Sequence, residues 1–382
     1  MNQSHEHIPI RLALYPSPHG LGHLMRIVHL AQMLHELSPQ RYHLFIRSNI
    51  DESVRKSLRI GWRDVDTITF SDYNIPIQPT IVQTNPYTLS ADQTWDAVRN
   101  FDAKAALEQE EKFVRANGIQ IVISDCPSVS CVLQVPSILV TNFTFDSILG
   151  ALRGGEAEDV SLFSQEMTNQ YNSADVLIRL PGYIPMPYSG KIMNAPVHFR
   201  RASASKYETL RSLNIPELLR SDRKILFHCF GGQPNETFSR LPRLPPHWIC
   251  LSMTIHAPPN FYLISKDAYI PDIIAATDAV LGKLGWGMCS EVIGNGYKPF
   301  IYVPRSEFIE EQGLLEWMEK DHCRLVRMEV DAFEAMDWED TISQAETFTG
   351  SRKGDLTAES WGRNEVSLVN MVDEEVARLL GR

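Results

Sequence analysis

Two histidines bracket a glycine turn in the run Ser17-Pro18-His19-Gly20-Leu21-Gly22-His23-Leu24-Met25-Arg26. Imidazole titrates near neutrality, so a histidine on each side of a GxG turn suits proton transfer better than packing. Gly20 and Gly22 let the backbone turn tightly and bring its N–H groups near a bound molecule, and the helix start that follows favours negative charge. The alternative is a plain tight turn with two incidental histidines. A dinucleotide fingerprint would need a third small residue at position 25, where Met25 stands. The two histidines also have the spacing of a metal pair on a helix, but the intervening glycines and the lack of a third ligand nearby set that reading aside.

Two more glycine loops lie in the second half. Phe230-Gly231-Gly232-Gln233-Pro234 directly follows an apolar run, and by itself could be a simple β-turn. Gly282-Lys283-Leu284-Gly285-Trp286-Gly287-Met288-Cys289-Ser290-Glu291 opens a helix. Closely spaced glycines before a helix N-terminus make an anion seat. Glu291, one turn into that helix, could accept two hydrogen bonds from a ribose diol or could simply complement the helix dipole. A phosphate seat, a ribose acid and a second glycine turn together point to a nucleoside-diphosphate site. Glu310, Glu311 and Gln312 begin the next helix, where acids and an amide can read sugar hydroxyls or, again, complement the dipole.

Strands and helices must hold these loops. Residues 10–15 form an apolar run that reads as a buried strand, and residues 23–37 place Leu24, Ile27, Val28, Ala31 and Leu34 on one helical face. Further strands are expected at 42–46, 65–70, 119–124 and 137–141, with one long helix at 91–116. The Pro- and Gly-rich stretch 180–193 lacks periodicity and reads as an interdomain crossing. Beyond it, strands are expected at 224–230, 248–253, 279–281 and 300–303, and helices at 287–296 and 310–320. Val366, Val369, Val372, Val376 and Leu380 form the stripe of an amphipathic closing helix. Strand–helix alternation predicts an α/β fold with parallel sheets covered on both faces. The expected organisation is a flexible N-terminal tail (1–9) and two doubly wound Rossmann-like domains, 10–193 and 194–382, the second carrying the closing helix. Their strand ends would face one another across a cleft, since ligands in such sheets bind outside the carboxyl ends of the strands.

Composition narrows the function. At about 150 residues per domain, 382 residues suggest two to three domains. A chain 43% hydrophobic and 22% charged is not disordered, fibrous or a coiled-coil rod. Lys+Arg 36 against Asp+Glu 47 gives a net charge of -11, which argues against nucleic-acid partners. No apolar run reaches membrane-span length, and MNQSHEHIPI has no secretory pattern, so the expected location is cytoplasmic. The six cysteines include no CxxC pair; Cys126, after Asp125, reads as a structural thiol. Asp64-Val65-Asp66 has the DxD spacing of a metal site, but two solvated acids at a strand start are the better reading. No metal and no cofactor are expected.

The three loops together resemble glycosyltransferases of the GT-B fold, and in particular the glycosyltransferase-like N-terminal region of plant L-arabinokinases. SPHGLGH, VTNFTFD at 140–146, FGGQP, PPNF, KDAYIPDIIAATDAVLGKLGWGMCSE and FIEEQ carry the resemblance, which runs over residues 10–330. The third loop is also similar to that of the bacterial peptidoglycan N-acetylglucosaminyltransferase. GLGHLMR resembles the GxGHxxR loop of a nucleotide-sugar hydrolase of pseudaminic acid synthesis, whose matching histidine is catalytic. No counterpart of the arabinokinases' sugar-kinase half is expected among these residues. Trp286 and Met288 depart from the family pattern beside the phosphate seat, which bears on the donor.

The resemblance implies a metal-independent, inverting transferase that uses a nucleotide sugar, most often a UDP-sugar, as co-substrate. Gly231, Gly232 and Gln233 would approach the diphosphate or sugar. Gly285 and Gly287, with Lys283 and Trp286 in the same loop, would seat the phosphates, Glu291 the ribose, and Glu310, Glu311 and Gln312 the donor sugar. The acceptor would lie near Gly20, Gly22, Asn142 and Asp146. A histidine of the first loop, His23 ahead of His19, would be the general base. A nucleotide-sugar hydrolase using water and a non-catalytic nucleotide-sugar-binding protein are the alternatives. A closed, water-sized polar pocket would favour the hydrolase, and an open apolar groove the transferase. The acceptor and the oligomeric state are not legible.

Overall fold

A computed structural model of the chain describes residues 8–50, 54–55, 66–154, 157–215, 218, 222–231, 240–257, 259–265, 267–348 and 358–381. The expected tail therefore lies outside the described residues up to position 7, as do Asp64, Val65, Gly232 and Gln233. Two compact units emerge. The first comprises Met1–Val82, Ser90–His198 and Gly362–Arg382, and the second Gln83–Leu89 and Phe199–Trp361.

In the first unit, β1 (Ile10–Pro16), α1 (Leu21–Leu37), β2 (Tyr42–Arg47) and β3 (Ile68–Ser71) follow one another. The hairpin of β4 (Gln83–Asn85) and β5 (Thr88–Leu89) comes next and belongs to the second unit. The first unit resumes with α2 (Ala91–Arg99), α3 (Ala103–Asn117), β6 (Ile121–Asp125), β7 (Ser137–Thr141), α4 (Phe145–Ala151), α5 (Ala157–Tyr171), β8 (Val176–Arg179) and β9 (Lys191–Asn194). Its sheet is parallel, in the order β3-β2-β1-β6-β7-β8-β9. All five residues of β6 and of β7 are buried, as strands covered on both faces must be. The strand order reverses between β1 and β6, and the register there sets Pro16 opposite Asp125. That switch point is where doubly wound sheets bind ligands.

The second unit contains α6 (Lys206–Ser212), β10 (Lys224–Cys229), β11 (Trp248–Ser252), β12 (Phe261–Leu263), α7 (Ile270–Ala276), β13 (Ala279–Gly282), α8 (Trp286–Gly294), β14 (Phe300–Tyr302), α9 (Glu310–Lys320), β15 (Leu325–Arg327), α10 (Val330–Glu334) and α11 (Glu339–Glu346). Its parallel sheet runs β12-β11-β10-β13-β14-β15, reversing between β10 and β13. The long last helix, α12 (Ala358–Leu379), closes the chain.

Four expectations need correction. The single helix at 91–116 is two, because the Asp102 carboxylate accepts the Ala105 N–H at 2.9 Å and caps a new start. The stretch 180–193 is not the crossing: it runs into β9, which pairs parallel with β8, and the units divide at His198/Phe199 instead. Segment 83–89 joins the second unit, where buried Tyr87 packs with Phe230 and Phe333 and its hydroxyl donates to Glu334 at 2.8 Å. The closing helix belongs with the first unit rather than the second. Leu368, Val369, Val372 and Val376 are buried, Asp373 receives Arg41 Nη1 at 3.0 Å and the Tyr42 hydroxyl, and Glu375 pairs with Lys191. The side chain of Val366 lies outside the described residues.

Candidate functional site

The first loop leaves β1 at the switch point. The His19 N–H donates to Ser17 Oγ at 3.2 Å, and the Gln78 amide donates to the same oxygen at 2.8 Å, which fixes the turn. Gly20 has φ 78°, a backbone state that favours glycine, and it starts α1 without a capping side chain. Leu24, Ile27, Val28, Ala31 and Leu34 are all buried, so the helix rolls its apolar stripe onto the sheet and turns His23 and Arg26 inward beneath the loop.

There the two meet Asp125, the last residue of β6, which is fully buried. His23 Nδ1 lies 3.0 Å from Asp125 Oδ2. Arg26 Nε donates to the same oxygen at 3.0 Å, and Nη2 to Oδ1 at 2.5 Å. Arg26 Nη1 donates to Asn142 Oδ1 at 2.9 Å. The Phe143 ring stands edge-on to His23, with centroids 5.3 Å apart. Burial alone would raise the Asp125 carboxyl, but the charges and hydrogen bonds of Arg26 and His23 outweigh it and hold the carboxyl below its ordinary value. A carboxylate behind Nδ1 leaves Nε2 as the ring atom that can take a proton, the geometry of an oriented general base.

Sequence reading brought His23 to this place and missed Asp125 and Arg26. The usable signal was an acid at the carboxyl end of a buried strand, beside the strand that carries the loop. Two expected acceptor contacts sit differently. Asn142 is fully buried and serves Arg26. Asp146 is 2% exposed and accepts from Thr168 Oγ1 at 2.6 Å and from the Ser147 N–H at 2.8 Å. Both brace the site from inside. His19 is half-buried on the turn, and Gly20 and Gly22 are exposed. Beside Leu21 of the same loop opens a cavity of about 530 Å³, lined by Leu21, Asn49, Ile50, Val54, Asp72 and Tyr73. Two of these residues are tied together, because Asn49 and the Tyr73 backbone exchange hydrogen bonds of 2.6 and 2.7 Å.

In the second unit β13 runs so close to β10 that a Cβ on Gly282 would sit 2.3 Å from the Cys229 carbonyl oxygen. The strand then rises through Lys283 to Gly285, which starts α8 with no side-chain cap of its own and no acid in the first turn, the kind of helix start that can seat an anion. Among the described residues, nothing beyond its chain neighbours lies within 4 Å of a Cβ built on Gly285. Burial, helped by the Arg305 charge and opposed by Glu310 and Cys229, brings the Lys283 ammonium down to about 7. Gly287 is half-buried, in the first turn of α8. Gly231 has φ 75° after β10, and Gly232 and Gln233 beyond it lie outside the described residues.

Glu291, 6% exposed, receives Arg200 Nε and Nη2 on Oε1, each at 2.6 Å. Arg200 is a second partner that sequence reading missed. Trp286 is buried and stacked on Trp317 with centroids 6.3 Å apart, so it packs α8 on α9. Glu310 accepts Arg305 Nη2 at 3.0 Å, and Glu311 accepts the Arg305 backbone N–H at 3.0 Å. The two acids expected to read a sugar thus clamp the loop before α9, while Gln312 is exposed and donates to Glu316 at 3.0 Å. Among the described residues no group of three His, Cys, Asp or Glu side chains could hold a metal, and no helix is long and apolar enough to cross a membrane.

No family model matches the chain. Over 226 residues it is 36% identical to L-arabinokinase of Arabidopsis thaliana, a stretch that is 57% of this chain and 21% of that protein. The chain therefore spans about a fifth of that relative's length. The glycosyltransferase SnogD from Streptomyces nogalater superposes with a TM-score of 0.53 at 13% identity, covering 89% of this chain and 98% of that one. Spinosyn rhamnosyltransferase SpnG complexed with thymidine diphosphate gives 0.54 at 12% identity, covering 98% and 100%. Arabidopsis thaliana UGT89C1 complexed with UDP gives 0.53 at 14% identity, covering 96% and 94%. The fold is that of the GT-B glycosyltransferases.

Proposed function

We propose that the protein is a glycosyltransferase that moves a sugar from a nucleoside-diphosphate sugar, a UDP-sugar first among them, to an acceptor hydroxyl. The observation that carries this reading is the buried contact of His23 Nδ1 with Asp125 Oδ2 at 3.0 Å, beneath a glycine turn at the switch point. In the proposed step His23 Nε2 takes the acceptor proton while the acceptor oxygen bonds to the anomeric carbon. The anomeric C–O bond breaks, and its electron pair leaves on the diphosphate, which inverts the centre. The uncapped start of α8, with Lys283, stabilises the departing charge through backbone donors rather than a metal. Glu291 takes the ribose. The similarly folded SpnG and UGT89C1, complexed with thymidine diphosphate and with UDP, support a nucleotide donor.

The cavity beside Leu21 favours transfer over hydrolysis. About 530 Å³ is far more than the ~30 Å³ that one water occupies, and it falls within the usual range for organic ligands. Among its described lining residues, Leu21, Ile50, Val54 and the Tyr73 ring offer apolar contact while Asn49 and Asp72 offer polar groups, a mixed lining that suits a hydroxylated carbon framework.

A panel of UDP-, dTDP- and GDP-sugars, followed by thermal shift and by nucleotide release with and without candidate acceptors, tests the reading. Release that depends on an acceptor is expected, and equal release with water alone would reassign the protein as a hydrolase. EDTA should leave turnover intact. Loss restored by Mg²⁺ or Mn²⁺ would overturn the metal-free step and direct attention to Asp64 and Asp66.

A further inference from the structure

We infer that Arg26 is a positioning residue: its guanidinium balances and aims the Asp125 carboxylate, so that His23 keeps a single hydrogen, on Nδ1, and a bare Nε2. This deepens the reading of His23 as general base and rests on it.

Arg26 lies one helical turn after His23, on the same face of α1. Its fork covers both Asp125 oxygens and its third arm reaches Asn142, in a cluster where His23 is 9%, Arg26 6%, and Asp125 and Asn142 0% exposed. Sealed beside an imidazole without a cation, that carboxylate would draw a second proton onto the ring and form an ion pair, and a doubly protonated ring cannot act as a base. With Arg26 in place the carboxylate is already balanced and still offers Oδ2 to Nδ1–H. Arg26 Nη2 also lies 3.0 Å from His23 Nδ1. A bare Nδ1 accepting from it would set its lone pair against Oδ2, also 3.0 Å away, so the hydrogen belongs on Nδ1. The neighbouring titratable groups do not replace this pair. Burial and the Asp125 charge push the Cys126 thiol well above its ordinary range. Burial and Arg26 bring His198 down to about 3. Asp146 is held by Thr168 and Ser147.

The test needs no known substrate. The full chain is labelled with ¹⁵N-histidine, and the His23 ring is identified by its loss in His23→Gln. The wild-type ring should carry its hydrogen on Nδ1. In Arg26→Gln, checked for folding by circular dichroism, the ring should take up its second proton about one pH unit or more above wild type, tenfold in the protonation equilibrium. The double variant Arg26→Gln with Asp125→Asn should likewise titrate about one unit above Asp125→Asn alone. That comparison stands even if Arg26→Gln fails to fold: the neutral Gln–Asn pair leaves no buried charge behind, and Asp125→Asn, which leaves Arg26 without its carboxylate, is held to the same circular-dichroism check. A ring with hydrogen on Nδ1 whose titration moves in neither comparison refutes the role of Arg26 only. A wild-type ring hydrogenated on Nε2 refutes the base reading, and this proposal with it.

Discussion

Arg200 grips Glu291 across 91 positions of sequence, with Nε and Nη2 both 2.6 Å from Oε1. Burial raises the Glu291 carboxyl above its ordinary value, and Arg200 pulls it back. With both guanidinium contacts on Oε1, the carboxylate is aimed by a partner in the same unit before any ligand arrives. UDP should stabilise the protein by mass action. Glu291→Ala should weaken UDP binding by about 1.5–3 kcal/mol, the range for hydrogen bonds to charged groups. Arg200→Met should weaken it too, by releasing the carboxylate. An unchanged UDP affinity in Glu291→Ala, read by calorimetry, removes Glu291 from the ribose role.

His23→Ala should lower turnover by about 10²–10⁴-fold, the usual cost of a missing general base. Its UDP affinity should stay near wild type, since the residues proposed to hold the donor belong to the second unit. His19→Ala is the control. Normal turnover in His23→Ala with a dead His19→Ala would reverse the assignment. If both variants turn over normally the base lies elsewhere.

Asp125 makes a stability prediction with a definite sign. Its folded value is held below the ordinary one, with burial opposed and outweighed by Arg26 and His23. A depressed acid contributes stability that is fully present above its unfolded value, near ~3.9, and is lost as pH falls through the folded value. Asp125→Asn strands Arg26 in a buried site, so at pH 7 it should be less stable by about 3–5 kcal/mol. Urea melts at descending pH should show that gap narrowing below about pH 4. A gap that stays constant down to pH 2.5 would mean the carboxylate contributes nothing through its charge.

Much of this is legible in the chain, and the exceptions share a physical cause. Buried strands such as β6 and β7 announce themselves as continuous apolar runs, and the glycine loops stand out by composition. Asp125 does not, because it lies 102 positions from His23 and becomes its neighbour only when β6 aligns beside β1. The pairing of Arg200 with Glu291 is hidden by the same kind of long-range closure. Strand β9 is an edge strand of sequence KIMN, three of whose four residues are exposed, so it has no apolar pattern to read. Glu310 and Glu311 look like ligand contacts because their partner Arg305 gives no local sign of being buried at 8% exposure. Sequence pattern reports burial and turns, whereas pairing of buried charges is decided by topology.

Lys283 should make nucleotide binding pH-dependent. Its ammonium is brought down to about 7 by burial first and by Arg305 second. Below that pH it offers a positive charge to a diphosphate, and above it a neutral amine. UDP affinity should therefore fall by up to about tenfold, ~1.4 kcal/mol, between pH 6 and 8.5. Lys283→Met should bind UDP weakly with a flat profile. A wild-type profile as flat as that of Lys283→Met would place the lysine outside the phosphate seat.

Two glycines of the third loop should respond to alanine in opposite ways. At Gly282 the added methyl meets the Cys229 carbonyl oxygen at 2.3 Å, a backbone atom that can yield only if β13 leaves β10. Gly282→Ala should cost about 1–3 kcal/mol of stability, the range for overpacking, with a matching fall in melting temperature. At Gly285 the backbone is extended, φ −136° and ψ 144°, which alanine adopts without strain, and among the described residues none beyond the chain neighbours lies within 4 Å of the methyl. Gly285→Ala should melt with wild type. If that space is where a phosphate approaches the N–H groups of α8, the same methyl should weaken UDP binding at least tenfold, ~1.4 kcal/mol or more. Wild-type affinity in Gly285→Ala would show that the diphosphate does not use this helix start, and the donor seat would have to be sought elsewhere in the second unit.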